Sequence, residues 1–539
     1  MCSSFEQDQK DRSQVVSRRT RRSRTVKLRS FEEETRLAYN ARISRLRSTE
    51  YPMINGTTYL DHAGTTLPAR SLMTLFSDTM QVQLLANPHS SSQSAPNYSH
   101  VMIEETRKKV LDMFGTDSDT YEVVFTANAT AAVRLVADAF ACQQQGFEYY
   151  YHQNCHTSLV GVRELANTSH CFQSDREAES WIHGQSPHSE MDDTIPTLFA
   201  YPAQSNMNGR RLPITWASNI RFSPAHRNTY TLLDVAALVS TSQLDLSTDD
   251  HSPDFVTLSF YKIFGFPDVG ALLVRKPVSH IFNQRRYFGG GTTEMITCDE
   301  NHWVAKKPRL CDRLEDGTLP IRNILALNIA IDAHKNLFRG FDSISKHTTW
   351  LAKSLYDRLS QMRHQNGISL CSIYLDPDST YGDPTTQGAT VTFNIRRPDG
   401  SWISSASIGE MALKHNILIR TGSLCNPAGM ANALGLTSTN IRDAYDSGFR
   451  CGQPNDVRFG VPMGMVRASL GPMSTVEDVD VFVKFVETCY LDGNGPHQRD
   501  ISDLLAVADS EHGEELLPKK KQKKSSRMRH RFPKWLGFY

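Results

Sequence analysis

The stretch Asp254–Arg275, DFVTLSFYKIFGFPDVGALLVR, constrains this chain more than any other. A short apolar β-rich run, Phe255 to Leu258, leads into Ser259, Phe260, Tyr261 and Lys262. A turn follows at Gly265 to Pro267, and a second apolar strand runs from Val269 to Val274. Both strands read as buried. A lysine held between buried strands is costly as an unpaired cation. The difficulty disappears if the stem carries the amine out to water, or if the amine is tied up covalently as an imine. Lys262 alone does not separate the two, so the rest of the chain has to.

Upstream, strands alternate with helices. Tyr121 to Thr126 reads as a strand and Asn128 to Phe140 as a helix; Phe147 to Tyr151, Thr197 to Ala200 and Tyr230 to Leu233 are further short apolar runs. Ile103, Val110 and Phe114 fall on one face of another helix. This alternation predicts an α/β fold, a mostly parallel sheet with helices on both faces. Leu319 to Leu337 and Thr348 to Met362 read as long helices. From Gln387 the pattern changes to a strand (Ala389 to Ile395), a helix (Ile408 to His415), strands (Ile417 to Arg420, Val466 to Leu470) and an amphipathic helix (Val476 to Tyr490), a smaller α+β unit. The expected organisation is a disordered basic arm over 1–50, ending in a short helix near Phe31 to Leu46. A large domain over 51–380 follows, its first segment contributing to the small domain. The small domain covers 381–492, and a disordered basic tail covers 493–539.

Several classes are excluded. The 539 residues are 39% hydrophobic, enough for a sizeable core, and their net charge of +1 gives no reason to expect nucleic acid as a partner. No apolar stretch is long enough to span a membrane, and the first residues lack the apolar centre of a signal peptide. The 10 cysteines include no CxxC pair, so neither a metal site nor a disulfide framework is expected, and a reducing cytoplasm fits.

Several short motifs then converge on one chemistry. In FTANAT the strand ends at Thr126 and a helix opens at Ala129 and Thr130, offering free N–H groups and a positive dipole end to a phosphate. In LLDVAA, Asp234 stands at the carboxyl end of an apolar strand, where ligands bind in open α/β sheets; it would also serve as a helix cap. One crossover separates Asp234 from Lys262, so both would reach one ligand from neighbouring strand ends. A carboxylate that keeps a pyridinium protonated, beside an imine-forming lysine, is what pyridoxal phosphate chemistry requires. His156, in NCHTS, would stack on the ring and move protons, or be a structural histidine. The Gly289–Gly291 loop before Thr292 would bring N–H groups to an anion. Cys425, in RTGSLCNP, lies on a Gly- and Pro-punctuated loop just past a strand and reads as exposed, with Arg420 favouring its thiolate. Arg467 lies inside an apolar strand and requires a carboxylate, from a substrate or from an internal Asp or Glu.

Taken together, YLDHAGTTL at Tyr59, NPHS at Asn87, FTANATAAVRLVADAF at Phe125, CHTSLVG at Cys155, FAYPAQSN at Phe199, LLDVAALVSTS at Leu232, SFYKIFGFP at Ser259, YFGGGT at Tyr287, RLEDGT at Arg313, RTGSLCNPAG at Arg420 and VRASLGPMSTVEDV at Val466 resemble the class V aminotransferases. They resemble more closely the pyridoxal phosphate-dependent domain of eukaryotic molybdenum cofactor sulfurases, over roughly residues 55 to 490. The resemblance implies fold type I with a smaller α+β C-terminal domain. Lys262 would form the Schiff base, Asp234 would hold the pyridinium nitrogen and His156 would stack over the ring. Ala129, Thr130 and Ser259 would hold the phosphate, with Thr292 reaching it from the second subunit of a homodimer. Asn206 would lie near the ring hydroxyl and the substrate. Arg467, with Asn206 and Arg420, would bind the substrate, and Cys425 would accept sulfur.

The implied reaction takes sulfur from L-cysteine as a persulfide on Cys425 and releases L-alanine. The family motif reads GCFCN with a further cysteine soon after; here Ser423 and Met430 occupy the flanking positions and leave Cys425 alone. Sulfurases of this family carry a C-terminal domain that binds the molybdenum cofactor. This sequence ends instead in a short tail with KKKQKK at Lys519, read as a nuclear import signal, a truncation scar or a solvated tail, the last two favoured, so the expected acceptor is the molybdenum cofactor or a separate protein that binds it. Two other readings follow from the same residues: a carbon–sulfur lyase, which has no use for Cys425, and a catalytically dead scaffold, which has no use for Lys262, Asp234 and Arg467.

Overall fold

The computed structural model of the chain describes residues 36–90, 97–185, 192–248, 252–299 and 302–493. The expected basic tail and most of the expected arm lie outside the described residues. Residues Arg36–Glu50 form a helix that turns Tyr39 and Ile43 inward, and the Tyr39 hydroxyl donates to the Phe338 carbonyl at 3.0 Å. This end of the expected arm is therefore packed structure.

Chain order gives β1 (Thr58–Tyr59), β2 (Tyr121–Thr126), β3 (Glu148–His152), β4 (Thr168–Phe172), β5 (Thr197–Pro202), β6 (Thr229–Asp234), β7 (Phe255–Ser259) and β8 (Gly270–Arg275). A hairpin, β9 (Thr293–Ile296) and β10 (Val304–Lys306), follows. Then come β11 (Cys371–Ile373), β12 (Thr390–Ile395), β13 (Ile417–Leu418), β14 (Arg420–Gly422), a hairpin of β15 (Val457–Arg458) and β16 (Val461–Pro462), and β17 (Met465–Ser469). The central sheet is seven-stranded, in the order β2-β8-β7-β6-β5-β3-β4. All its pairings are parallel except the two made by β8, which runs antiparallel to β2 and β7. The link from Ser259 to Gly270 contains only the single helical turn Tyr261–Phe264, too short for the crossover a parallel return demands.

Two apolar clusters cover the sheet. One side buries Val123, Phe199, Leu233, Val256 and Leu273; the other buries Val124, Leu198, Leu232, Phe255 and Leu272. The alternation along each strand explains why these runs read as continuously apolar: both faces are covered. A four-stranded antiparallel sheet, β11-β12-β17-β14, forms over a third cluster that includes Val391, Phe393, Val466 and Phe482. The helix Val476–Tyr490 packs there, opened by a capping box in which Thr475 and Asp478 satisfy one another's backbone.

The two ends of the described chain meet in space. β1 pairs in parallel with β13, and Asp61 bridges to Ser469 at the end of β17. The stretch expected as one strand over 417–420 is two short strands with different partners, β13 on β1 and β14 on β17. Strand β4 carries no apolar run because it lies at the sheet edge with most of its residues partly or fully exposed. The helix Phe341–Gln361 begins before the expected Thr348, directly after Gly340.

Candidate active site

At the carboxyl ends of the parallel strands a small cleft of about 70 Å³ is lined by Thr130, His156, Asn206, Asp234, Ser259 and Lys262, among others. Its shape depends on one glycine. A Cβ on Gly270 would stand 2.6 Å from Asn128 Cα and 2.6 Å from the Leu258 carbonyl, so only glycine lets β8 pass beneath the turn from β2 into the helix Ala129–Ala141. That turn is capped by Asn128, whose side chain accepts from the Ala131 N–H at 3.0 Å. The Ala129 N–H donates to Ser259 Oγ at 2.9 Å, which ties the helix start to the end of β7. Exposed Thr130 lies at the lip. A helix N-terminus with two hydroxyls beside it suits an anion.

Asp234 ends β6 and is buried; its Oδ1 accepts from the Ala236 N–H at 2.9 Å. Lys262 is half-buried on the helical turn after β7 rather than on the strand itself. Burial pushes its amine below the ordinary lysine range, against the opposing pull of Asp234. His156 caps the short helix Thr157–Val160: its Nδ1 accepts from the Ser158 N–H at 3.1 Å and lies 2.9 Å from Ser158 Oγ. A ring nitrogen that accepts from a backbone N–H carries no proton, so a neutral His156 has its proton on Nε2. Burial lowers its pKa, with Lys262 and Arg467 acting in the same direction and Asp234 against, which favours that neutral ring.

The far wall comes from the second sheet. Arg467, on β17, is buried; its Nη1 donates to the Asn206 carbonyl and its Nη2 to Asp61 Oδ1, both at 2.8 Å. The internal carboxylate that the sequence left open is Asp61. The Nε of Arg467 is buried without a hydrogen-bond partner. Burial lowers the guanidinium pKa and Asp61 opposes this.

Cys425 is exposed, on a loop fastened at both sides of the cleft. The Thr157 N–H, next to His156, donates to the Cys425 carbonyl at 3.0 Å. Asn206 Nδ2 donates to the Leu424 carbonyl at 2.7 Å. Asn426, buried, donates from Nδ2 to Asn206 Oδ1 and to the Asn154 carbonyl, each at 3.0 Å.

The structure thus brings Lys262, Asp234, His156, Ala129, Thr130, Ser259 and Asn206 to one cleft and carries Arg467 and the Cys425 loop to its rim. Arg420 pairs with Arg467 across β14 and β17 but is exposed. Thr292 is buried away from this cleft, its hydroxyl donating to the Gly289 carbonyl at 2.7 Å. Gln204, not singled out from the sequence, lines the cleft and is buried, donating to the Ala237 carbonyl at 3.2 Å. Its signal was its place just past the end of β5, beside the strand that carries Asp234. Among the described residues no group of three or more His, Cys, Asp or Glu could hold a metal ion, and no helix is long and apolar enough to cross a membrane.

The family model for class-V aminotransferases matches residues 58–482. Molybdenum cofactor sulfurase from Chaetomium globosum is 49% identical over 457 residues, covering 85% of this chain and 58% of that protein. Its counterpart in Aspergillus fumigatus is 50% identical over 459 residues, covering 84% of this chain and 54% of that protein. The chain spans about half the length of these curated relatives. Among solved structures, the apo form of a cysteine desulfurase from Thermococcus onnurineus superposes with a TM-score of 0.62 at 20% identity, covering 82% of this chain and 97% of that one. A cysteine desulfurase from Escherichia coli gives 0.61 at 16%, covering 83% and 97%. At such identities the likeness is one of fold.

Proposed function

Because the chain belongs to the class-V aminotransferase family, we propose that it is a pyridoxal phosphate-dependent cysteine desulfurase of the molybdenum cofactor sulfurase type. One observation carries this reading: the Cys425 loop is hydrogen-bonded on one side beside His156 and on the other to Asn206, so a free thiol stands at the rim of the Lys262–Asp234 cleft. A carbon–sulfur lyase has no use for that arrangement.

The donor set fits the cofactor. Ser259, Thr130 and the helix start at Ala129 would hold its phosphate, and the oxygen of Asp234 not engaged by Ala236 would hold the proton of its ring nitrogen. His156 would lie over the ring, and Asn206 near its hydroxyl and the substrate. When bound, pyridoxal phosphate supplies an aldehyde that carries the amine of the amino acid and a ring that draws electrons from its α-carbon. Lys262 would hold the cofactor through Nζ. With its pKa lowered, it is the amine suited to take the α-proton of the substrate. Arg467, which carries a free buried Nε–H, would bind the substrate carboxylate together with Asn206, with Arg420 at the rim. The thiolate of Cys425 attacks the sulfur of L-cysteine; an S–S bond forms as the C–S bond breaks, and the three-carbon remainder takes up a proton and leaves as L-alanine.

The acceptor of this sulfur is the molybdenum cofactor or a protein that holds it. We further propose a homodimer in which Thr292 completes the phosphate site of the second copy, a division into lobes over 51–380 and 381–492, and a cytoplasmic location, where an exposed thiol stays reduced.

The test is to incubate the chain with pyridoxal phosphate and L-cysteine, fix the cofactor with borohydride and map both modifications. The cofactor is expected on the Lys262 peptide and one added sulfur on the Cys425 peptide, with alanine released. Undiminished sulfide and product release by Cys425→Ala would establish the lyase instead.

A further inference from the structure

We infer that Cys451 is a second sulfur carrier, which takes the sulfane sulfur from Cys425 and holds it at the protein surface. The inference rests on the desulfurase reading above. Cys425 is the third residue of a tight turn, Ser423 to Asn426, closed by the Asn426 N–H donating to the Ser423 carbonyl at 3.3 Å. Leu424 and Cys425 both have left-handed backbones, with φ of 55° and 54°. Such a turn keeps its first and fourth Cα atoms within about 7 Å. At its first position, Ser423 Oγ lies 3.1 Å from Cys451 Sγ, though the two residues are 28 apart in the chain. The same sulfur sits over the strand that leads into the turn: a Cβ on Gly422 would stand 3.6 Å from it.

Two thiols therefore border one turn, Cys425 at its third position and Cys451 against Ser423 at its first. Both are exposed, whereas Cys155, Cys311 and Cys371 are buried. Cys298, the other exposed cysteine among the described residues, lies beside the β9–β10 hairpin and outside this turn.

The transfer balances without an oxidant. The Cys451 thiolate attacks the outer sulfur of the Cys425 persulfide. An S–S bond forms at Cys451 as the one at Cys425 breaks, and the outer sulfur keeps its proton. The electron pair leaves on Cys425 Sγ, the thiolate needed for the next turnover. The Ser423 hydroxyl, within hydrogen-bond distance of Cys451 Sγ, can donate to the attacking sulfur.

The experiment is a rapid-quench alanine measurement on chain loaded with pyridoxal phosphate, using a small excess of L-cysteine and no other acceptor, with alkylation and peptide mapping of sulfane sulfur. The unaltered chain is expected to release two alanines per active site and to carry sulfane sulfur on both the Cys425 and Cys451 peptides. Cys451→Ser should release one alanine and label Cys425 alone, while Cys298→Ser should behave as the unaltered chain does. A single alanine with label confined to Cys425 in the unaltered chain would overturn the relay and leave the desulfurase reading standing. A Cys425–Cys451 disulfide with free sulfide, the product of attack on the inner sulfur, would also overturn it. No alanine from the unaltered chain would overturn the desulfurase reading and the relay with it.

Discussion

Lys262 is held where its charge is unwelcome, and this has a sign that can be measured. Burial lowers its pKa in the folded chain, so the unfolded chain binds that proton more tightly, and folding is opposed at every pH below the ordinary lysine value of about 10.4. Stability from this group therefore rises as pH climbs through the lysine range. Lys262→Met should raise the melting temperature of the cofactor-free protein at neutral pH, and the gain should shrink in alkaline buffer; a lower melting temperature at neutral pH would refute the assignment. Burial lowers the Arg467 pKa as well, but there two partners hold the charge. Arg467→Ala strips Asp61 and the Asn206 carbonyl of their donor and should weaken L-cysteine binding by about 2 to 5 kcal/mol. Binding isotherms of the two proteins check this, and equal affinities would remove Arg467 from the substrate site. Lys262, Asp234 and His156 were legible as candidates only through the motifs around them, since each alone also had a structural use. The partners of Arg467 and Ser423 were not, since Asp61 lies 406 residues from Arg467 and Cys451 lies 28 from Ser423.

Among the elements, the β8 strand bears most on the cleft. It enters the sheet at Gly270, against Asn128 and Leu258, where backbone rather than movable side chain blocks any larger residue. Gly270→Ala should cost about 1 to 3 kcal/mol, as overpacking does. It should also push the start of the helix Ala129–Ala141 away from Ser259, so that pyridoxal phosphate binds more weakly than the loss of stability alone explains. Denaturant melts and cofactor titration together test this, and unchanged affinity would show that the cradle tolerates the shift. Strands with long apolar runs could be read from sequence, as β2, β6 and β7 were. The helices Pro427–Leu434 and Ser438–Asp446 were not foreseen, having few buried residues between them to set a periodicity. The break between β13 and β14 was likewise hidden, because it depends on two partners distant in sequence.

For the whole molecule, acid should be the weak direction. His62 and His334 are buried with pKa values lowered to about 3, and His347 to about 4, burial being the largest cause in each. The unfolded chain takes up these protons near pH 6.5 and the folded chain does not, so stability falls as pH drops from there toward 4, by about 2 kcal/mol per histidine at pH 5. His334, ringed by Phe264, Phe338 and Phe341 and with no partner for Nε2, gives the cleanest test. His334→Leu should flatten the fall in melting temperature on acidification, and parallel curves for the two proteins would contradict this. The mostly parallel sheet could be read from the alternation of strands and helices, and the first segment was expected to contribute to the small domain, but its pairing partners, β13 for β1 and Ser469 for Asp61, could not be read. That pairing governs the order of events during synthesis. Asp61 leaves the ribosome 406 residues ahead of Arg467, an interval on the order of 20 to 80 seconds. β1 likewise waits for Ile417 before it has a neighbour. A nascent chain stalled before β17 can assemble the lysine side of the cleft but lacks the Arg467 guanidinium, so the two walls of the cleft meet only after β17 has been made.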